Sequence, residues 1–236
     1  LSTPRLLAQP ESTARRTRPL MFLTAAASSL ARGVAIAPPA ERVTLGARTL
    51  RVAEGNADTI DSGARIWDSG RALSGLLRDQ LADADTSEFR VLELGAGTGI
   101  GGLTAAALGA TTLLSDQPEL LPLLDSNIDA NSLRSHAAAT QLMWGDASDA
   151  ERVGASGPFD LIIGSDLLYA PQSFPLLLET LTELSVPGAT EVLFTFPTRY
   201  TEGIFIEQAA DADFETIEDV TEVDVNVWSL RLRLRD

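Results

Sequence analysis

A glycine-rich loop follows an apolar run in the part of the sequence where chemistry is most clearly indicated. Residues 91–99 read VLELGAGTG, so that a strand-like run containing Glu93 breaks into Gly95, Ala96 and Gly97. In open α/β sheets, a strand, a glycine loop and a helix start in this order bind a nucleoside-containing cofactor. Glycine lacks a Cβ atom, so its backbone can approach a ligand closely. A tight turn without any ligand is the alternative that this motif leaves open.

An acidic residue ends the next apolar run, TTLLSD, at Asp116. In nucleoside-binding sheets, a carboxylate at the end of the second strand accepts hydrogen bonds from ribose hydroxyls. The alternative is a turn residue ahead of Pro118. The sequence therefore predicts a nucleoside site between the glycine loop and Asp116.

Four further stretches place aromatic and polar residues beside the predicted strand ends. They read IWDSG (66–70), MWGD (143–146), SDLLY (165–169) and FPTRY (196–200). Ligands bind at the carboxyl ends of strands in open α/β sheets, and loop residues there are stronger indicators of function than core residues.

The elements that must position these residues alternate between strand-like and helical patterns from Phe89 onward. Such alternation predicts an α/β fold with a doubly wound, mostly parallel sheet of seven strands. Residues 214–236 change to a period of two, which predicts an antiparallel hairpin at the sheet edge. The remaining predictions are a hairpin over 42–52, helices within 63–83, 100–108, 119–131 and 173–184, and strands at 91–94, 111–115, 138–144, 159–165 and 191–196.

The composition limits the possible chemistry. The 236 residues contain no cysteine and a single histidine, His136, and all 18 basic residues are arginine. Disulfides, thiolate catalysis and cysteine zinc sites are therefore excluded, no metal site is expected, and His136 is expected at the solvated surface. The net charge of −15 disfavours a nucleic-acid substrate. We expect a monomer without a membrane span.

Residues 1–40 differ from the rest of the chain. They carry five arginines and one acid, a charge of +4, so the remaining residues sum to −19. This composition is typical of an organelle transit peptide, while a secretory signal and a disordered leader ahead of Met21 are the alternatives. We therefore predict an N-terminal extension over 1–40 and one catalytic domain over 41–236. The expected location is the cytoplasm, or a plastid or mitochondrion if the extension is a targeting segment.

Taken together, these motifs resemble those of the seven-strand S-adenosylmethionine-dependent methyltransferases. More narrowly, they resemble the methyltransferase-like protein-lysine family, whose signature is Asp-x-x-Tyr after the fourth strand of the alternation. Here the signature is Asp166-Leu167-Leu168-Tyr169, and the likeness covers about residues 60–200.

The resemblance implies a role for each matching residue. Gly95, Ala96 and Gly97 would line the methionine and ribose part of S-adenosylmethionine, and Asp116 would take the ribose hydroxyls. Trp144 would lie against the adenine, Trp67 and Ser165 would close the pocket, and Glu93 would reach the cofactor's amino group through water. Asp166 and Tyr169 would face the lysine side chain of a protein substrate.

Each implied role has a structural alternative. Asp166 is also suited to capping a helix, and Trp67, Trp144 and Tyr169 are also suited to packing. Three functional alternatives remain at this point: a methyltransferase with a small amine or another side chain as acceptor, a catalytically silent binding module, and a nicotinamide dehydrogenase.

Overall fold

The computed structural model describes residues 41–55 and 62–236. The predictions for the extension over 1–40 lie outside the described residues. Among the helices that are described, none has the length and apolar character needed to cross a membrane.

Nine strands and six helices follow one another along the described chain, with short 3-10 turns between some of them. The strands are β1 (Glu41–Leu45), β2 (Arg48–Val52), β3 (Arg90–Glu93), β4 (Thr111–Asp116), β5 (Ala137–Gln141), β6 (Leu161–Ser165), β7 (Glu191–Pro197), β8 (Phe214–Asp224) and β9 (Val227–Leu234). The helices are α1 (Asp68–Leu81), α2 (Ile100–Ala107), α3 (Leu121–Ala130), α4 (Ala147–Gly154), α5 (Phe174–Leu184) and α6 (Glu202–Asp211).

Seven of the strands form one sheet in the order β5-β4-β3-β6-β7-β9-β8. The first five are parallel, while β9 pairs antiparallel with both β7 and β8. The predicted doubly wound sheet and its antiparallel edge hairpin are therefore confirmed. The chain reverses its direction of travel across the sheet between β3 and β6, and ligands of open α/β sheets bind at such a switch point.

Apolar side chains cover both faces of the sheet, because alternate residues of a strand point to opposite sides. On β4, Leu113 packs with the cluster that contains Leu177 and Leu181 of α5. Its neighbour Leu114 belongs to the cluster that contains Leu124 and Ile128 of α3. The helices thus sandwich the sheet and leave its carboxyl edge open for a site.

The hairpin of β1 and β2 is attached to this layer through two asparagines of one helix face. Asn127 accepts a hydrogen bond from the Ala53 amide at 2.9 Å and donates to the Ala53 carbonyl at 3.0 Å. Asn131 accepts from the Arg51 amide at 2.7 Å and donates to its carbonyl at 2.8 Å. The hairpin predicted around Gly46 is present, and side-chain amides fix its position.

Three details of the sequence prediction were wrong. The third strand of the alternation was predicted to run to Trp144, but β5 ends at Gln141. The chain leaves the sheet there because the Asp149 carboxylate accepts from the Met143 amide at 2.9 Å. Two helices, α4 and α6, were not predicted. Helix α4 begins at the N-cap Asp146, whose side chain accepts from the amides of Ser148 and Asp149.

Candidate active site

The glycine loop between β3 and α2 has a backbone that requires glycine. Gly95 and Gly97 adopt φ of 54° and 56°, in the left-handed region. A Cβ atom at residue 97 would lie 2.4 Å from the carbonyl oxygen of Gly63, a backbone atom that cannot rotate away. At residue 95 it would meet Leu167 at 2.7 Å and Trp144 at 3.6 Å. The loop is therefore enclosed by the segment before α1 and by side chains from the ends of β5 and β6.

Asp116 closes the other side of this loop. One carboxylate oxygen accepts from the Gly97 amide at 2.7 Å, and the other accepts from the Gln117 amide at 2.7 Å. Burial raises the pKa of Asp116, and the Gly97 amide opposes that shift. A carboxylate has about four lone-pair positions. After these two hydrogen bonds, Asp116 retains acceptor capacity for the two hydroxyls of a ribose.

Glu93 lies beneath the loop and is 1% exposed. Its carboxylate accepts from the Gly102 amide at 2.9 Å, in the first turn of α2, where backbone N–H groups lack partners within the helix. Burial raises the pKa of Glu93 to about 8. In the structure Glu93 therefore holds the start of α2, and its implied contact with the cofactor through water stays a prediction.

Because protonated Glu93 fits the folded protein better than the unfolded chain, we expect stability to fall as pH rises. The unfolded carboxyl loses its proton near its ordinary pKa, while the folded one keeps it to about pH 8. Between these values, the free energy of unfolding should fall by up to about 1.4 kcal/mol per pH unit. Glu93→Gln should remove this slope in urea unfolding measured from pH 5 to 8, whereas Glu88→Gln at an exposed position should keep it. Parallel curves for wild type and Glu93→Gln would disprove the assignment.

Trp144 and Ser165 stand on either side of the loop at the switch point. Trp144 is half-buried and packs against the core beside Gly95. The Ser165 hydroxyl would lie 3.5 Å from a Cβ atom at Gly70, so α1 begins next to the end of β6. Trp67 is the N-cap residue of α1 and is 45% exposed. These predicted pocket residues thus come to the same edge of the sheet.

Asp166 and Tyr169 follow β6 at this edge. Asp166 has φ of 56°, which aspartate tolerates better than most residues, and its amide donates to the Thr195 carbonyl at 2.8 Å. Its carboxylate pairs with Arg199 at 3.0 Å and caps none of the described helices. Burial raises the pKa of Asp166, and Arg199 opposes that shift. Tyr169 is 61% exposed, so its ring is available to a ligand rather than packed in the core.

Sequence reasoning missed three residues that position the site. Arg199 belongs to the stretch FPTRY, but no spacing rule pairs it with Asp166. Asn127 donates to the Thr98 carbonyl at 2.9 Å and so anchors the glycine loop to α3. Thr195 donates to the Ser69 carbonyl at 2.8 Å and anchors α1 to β7. His136, half-buried ahead of β5, lies at the opposite edge of the sheet.

The sheet order and the position of this loop define a Rossmann-like fold of the S-adenosylmethionine-dependent methyltransferase class. Solved structures with this fold include a SAM-dependent methyltransferase from Agrobacterium tumefaciens, with a TM-score of 0.56 at 17% identity over 83% of this chain and 70% of that one. Another is the ribosomal protein L11 methylase from Lactobacillus delbrueckii subsp. bulgaricus, with a TM-score of 0.51 at 19% identity over 70% of this chain and 78% of that one.

Residues 45–216 match the model of the lysine methyltransferase family, so the chain belongs to that family. It is 38% identical to protein N-lysine methyltransferase METTL21A of Danio rerio, over 58% of this chain and 62% of the relative. It is 36% identical to EEF1A lysine methyltransferase 3 of Mus musculus, over 54% and 53% of the two chains. It is 31% identical to protein-lysine N-methyltransferase EFM6 of Saccharomyces cerevisiae, over 52% and 58%.

The matched part thus spans between half and two thirds of these curated relatives. The predicted family is confirmed, and membership decides against the nicotinamide dehydrogenase.

Proposed function

We propose that this protein transfers a methyl group from S-adenosylmethionine to a lysine side chain of a protein substrate. The observation that carries the proposal is the meeting of the glycine loop with the Asp166–Tyr169 segment at one switch point. The hypothetical Cβ of Gly95 lies 2.7 Å from Leu167, which is part of that segment. A cofactor seated on the loop would therefore be next to Asp166 and Tyr169.

The residues at the loop suit an adenosine-containing cofactor. Asp116 offers acceptor positions for the ribose, and Trp144 offers a half-buried aromatic face for the adenine. Gly95, Ala96 and Gly97 provide the close backbone approach for the ribose and methionine part, and Ser165 and Trp67 lie at the pocket edge. When bound, S-adenosylmethionine supplies a sulfonium methyl group: the amine nitrogen forms a bond to the methyl carbon as the carbon–sulfur bond breaks and its electron pair passes to sulfur.

Asp166 and Tyr169 suit the acceptor amine. The Asp166 carboxylate can accept a hydrogen bond from the amine and orient its lone pair, while the exposed Tyr169 ring can pack on the aliphatic part of a lysine. The lysine must also lose a proton, which costs about 4 kcal/mol near pH 7.4 for an ordinary lysine. Burial and neighbouring positive charge lower the pKa of a lysine, and the proton leaves to solvent.

The names of the relatives guide the choice of substrate. One relative is named for EEF1A, so elongation factor 1A is the first acceptor to test for this chain. The acidic charge of residues 41–236 would favour a basic segment around the target lysine.

The proposal is tested by incubating the protein with S-adenosylmethionine labelled in its methyl group. Purified elongation factor 1A and a lysate are the two acceptor preparations, and label is counted in the protein and small-molecule fractions. We expect label in the protein fraction. Label confined to small molecules would favour the small-amine alternative, and no label in either fraction despite cofactor binding would favour the silent module.

A separate prediction concerns the adenine. If Trp144 stacks on that base, Trp144→Ala should weaken S-adenosylhomocysteine binding by about 5- to 150-fold, since stacking of a base on an aromatic side chain contributes about 1–3 kcal/mol. Trp144→Phe, which keeps an aromatic face, should lose much less. Titration calorimetry measures both dissociation constants. Equal affinity of wild type and Trp144→Ala would remove Trp144 from the cofactor site.

A further inference from the structure

Arg199 is a charged residue of the candidate site. Neither the sequence motifs nor the proposed function explains its role. It belongs to the loop that follows β7, and its partner Asp166 lies 33 residues earlier in the chain. Its Nη2 donates to both Asp166 carboxylate oxygens at 3.0 Å, and its Nε donates to one of them at 3.2 Å. The guanidinium thus binds the carboxylate through two of its nitrogens.

The loop that carries Arg199 is held on both sides. Before it, the Thr198 hydroxyl accepts from the indole N–H of Trp228 on β9 at 2.7 Å. After it, the Thr201 hydroxyl donates to the Leu168 carbonyl within the signature segment. Both ends of the contact are therefore fixed by the fold, because the Asp166 amide is itself bonded to Thr195 on β7.

Stability alone is a poor explanation of this ion pair. The cost of desolvating the Asp166 carboxylate offsets its attraction to the Arg199 guanidinium, which is 40% exposed, so a pair of this kind is weak evidence for a stabilising role. The Asp166 side chain is 11% exposed, so its charge depends on a partner. The ionisable groups on the segments around it are Asp68, Tyr169, Arg199, Tyr200 and Glu202, and among the described residues the hydrogen bonds to the carboxylate come from Arg199.

We propose that Arg199 is the positioning residue of the methyl-transfer site, holding the Asp166 carboxylate ionised and oriented toward the acceptor amine. The inference rests on the proposed function of Asp166. A carboxylate has about four lone-pair positions and Arg199 makes three contacts, so one position remains for an amine N–H. The guanidinium also offsets the negative charge of Asp166, which by itself would favour the protonated amine, and so favours the neutral amine that can attack the methyl carbon.

Replacing Arg199 should therefore change the ionisation of Asp166 as well as the rate of methyl transfer. Without the guanidinium, burial alone acts on Asp166 and raises its pKa further. The acceptor amine also holds its proton more tightly. Both effects move the acidic limb of the kcat profile to higher pH. A residue that only supported the loop would lower the rate without moving this limb.

The test uses Arg199→Gln, because a lysine at residue 199 would introduce the chain's only lysine beside the reacting group. The matched control is Arg78→Gln, which removes another exposed arginine, paired with Asp79 at 2.8 Å near the end of α1. The Asp166 signal is identified in the carboxyl ¹³C spectrum of the ligand-free protein by its absence in Asp166→Asn. The midpoint of the pH titration of this signal should move to higher pH in Arg199→Gln and stay in place in Arg78→Gln.

The kinetic arm uses the protein acceptor found in the transfer assay. Arg199→Gln should lower kcat at neutral pH by about tenfold or more, since loss of orientation is costly at a reacting centre. In the Asp166→Asn background, Arg199→Gln should lower kcat little further, because the effects of replacing two coupled residues are not additive. Affinity for S-adenosylhomocysteine should stay within about threefold, less than 1 kcal/mol.

The possible results separate the two proposals. An Asp166 midpoint that stays in place in Arg199→Gln overturns the inference about Arg199, and so does an equal loss of kcat in the wild-type and Asp166→Asn backgrounds. Absence of methyl transfer by the wild-type protein overturns the proposed function instead, while the carboxyl titration still decides whether Arg199 sets the ionisation of Asp166.

Discussion

Asp166→Asn is expected to lower methyl transfer by at least about 100-fold, the order of loss that follows when a reacting group is misplaced. Asparagine tolerates the left-handed backbone of residue 166, so this variant removes the charge without adding the strain of most other residues. The glycine loop, Asp116 and Trp144 are untouched. Affinity for S-adenosylhomocysteine should therefore stay within about threefold, less than 1 kcal/mol.

The chain offers a matched control for this change. Asp213 also has a left-handed backbone, with φ of 63°, and is exposed at the start of β8, at the opposite edge of the sheet. Asp213→Asn should keep wild-type transfer. Methyl transfer by Asp166→Asn at the rate of Asp213→Asn would exclude Asp166 from the reaction.

Gly97→Ala is expected to weaken cofactor binding by about 100-fold or more, which corresponds to about 3 kcal/mol. A methyl group at residue 97 would lie 2.4 Å from the Gly63 oxygen, so the loop or the segment before α1 must move. Either movement disturbs the amide that donates to Asp116 at 2.7 Å. Calorimetry with S-adenosylhomocysteine measures the loss, and near-ultraviolet circular dichroism shows that the variant has folded.

Gly46→Ala separates the steric effect from the conformational one. Gly46 has φ of 58°, close to that of Gly97, but no atom of the residues that the structure describes lies within 4 Å of its hypothetical Cβ. Each alanine costs roughly 1–2 kcal/mol for its left-handed backbone. Of the two variants, only Gly97→Ala should lose more stability than this. It should also be the only one that binds S-adenosylhomocysteine more weakly. Equal affinity and equal melting temperatures for the two variants would mean that the loop does not require glycine at residue 97.

The fold could be predicted well wherever apolar runs alternate with glycine punctuation, as from Val91 to Thr195. Prediction failed where the periodic signal is weak. Helix α6 buries only Phe205 and Ala209, so its acidic sequence gives little indication of a helix. The end of β5 depends on a side chain eight residues beyond it, since Asp149 takes the Met143 amide, and such competition for backbone N–H groups has no local pattern.

The residues of the candidate site also fall into those that local sequence indicates and those that depend on distant contacts. Local motifs indicated Gly97, Asp116 and Asp166, because strand ends and glycine loops are encoded in consecutive residues. Local motifs did not indicate Arg199 or Asn127, because each contacts a loop that is distant in the sequence. The separation is 33 residues for Arg199 and 29 residues for Asn127. Glu93 was noticed, but its buried contact with the start of α2 depends on how helix and strand pack.

The most direct test of the central claim is the chemical identity of the methylated residue. The protein, labelled S-adenosylmethionine and its acceptor are incubated, and the labelled protein band is hydrolysed and resolved into amino acids, with Asp166→Asn in parallel. The 236 residues of the protein include no lysine, so none of them contributes labelled methyllysine. We expect the label in methyllysine with wild type and almost none with Asp166→Asn. Label in a residue other than lysine would contradict the claim.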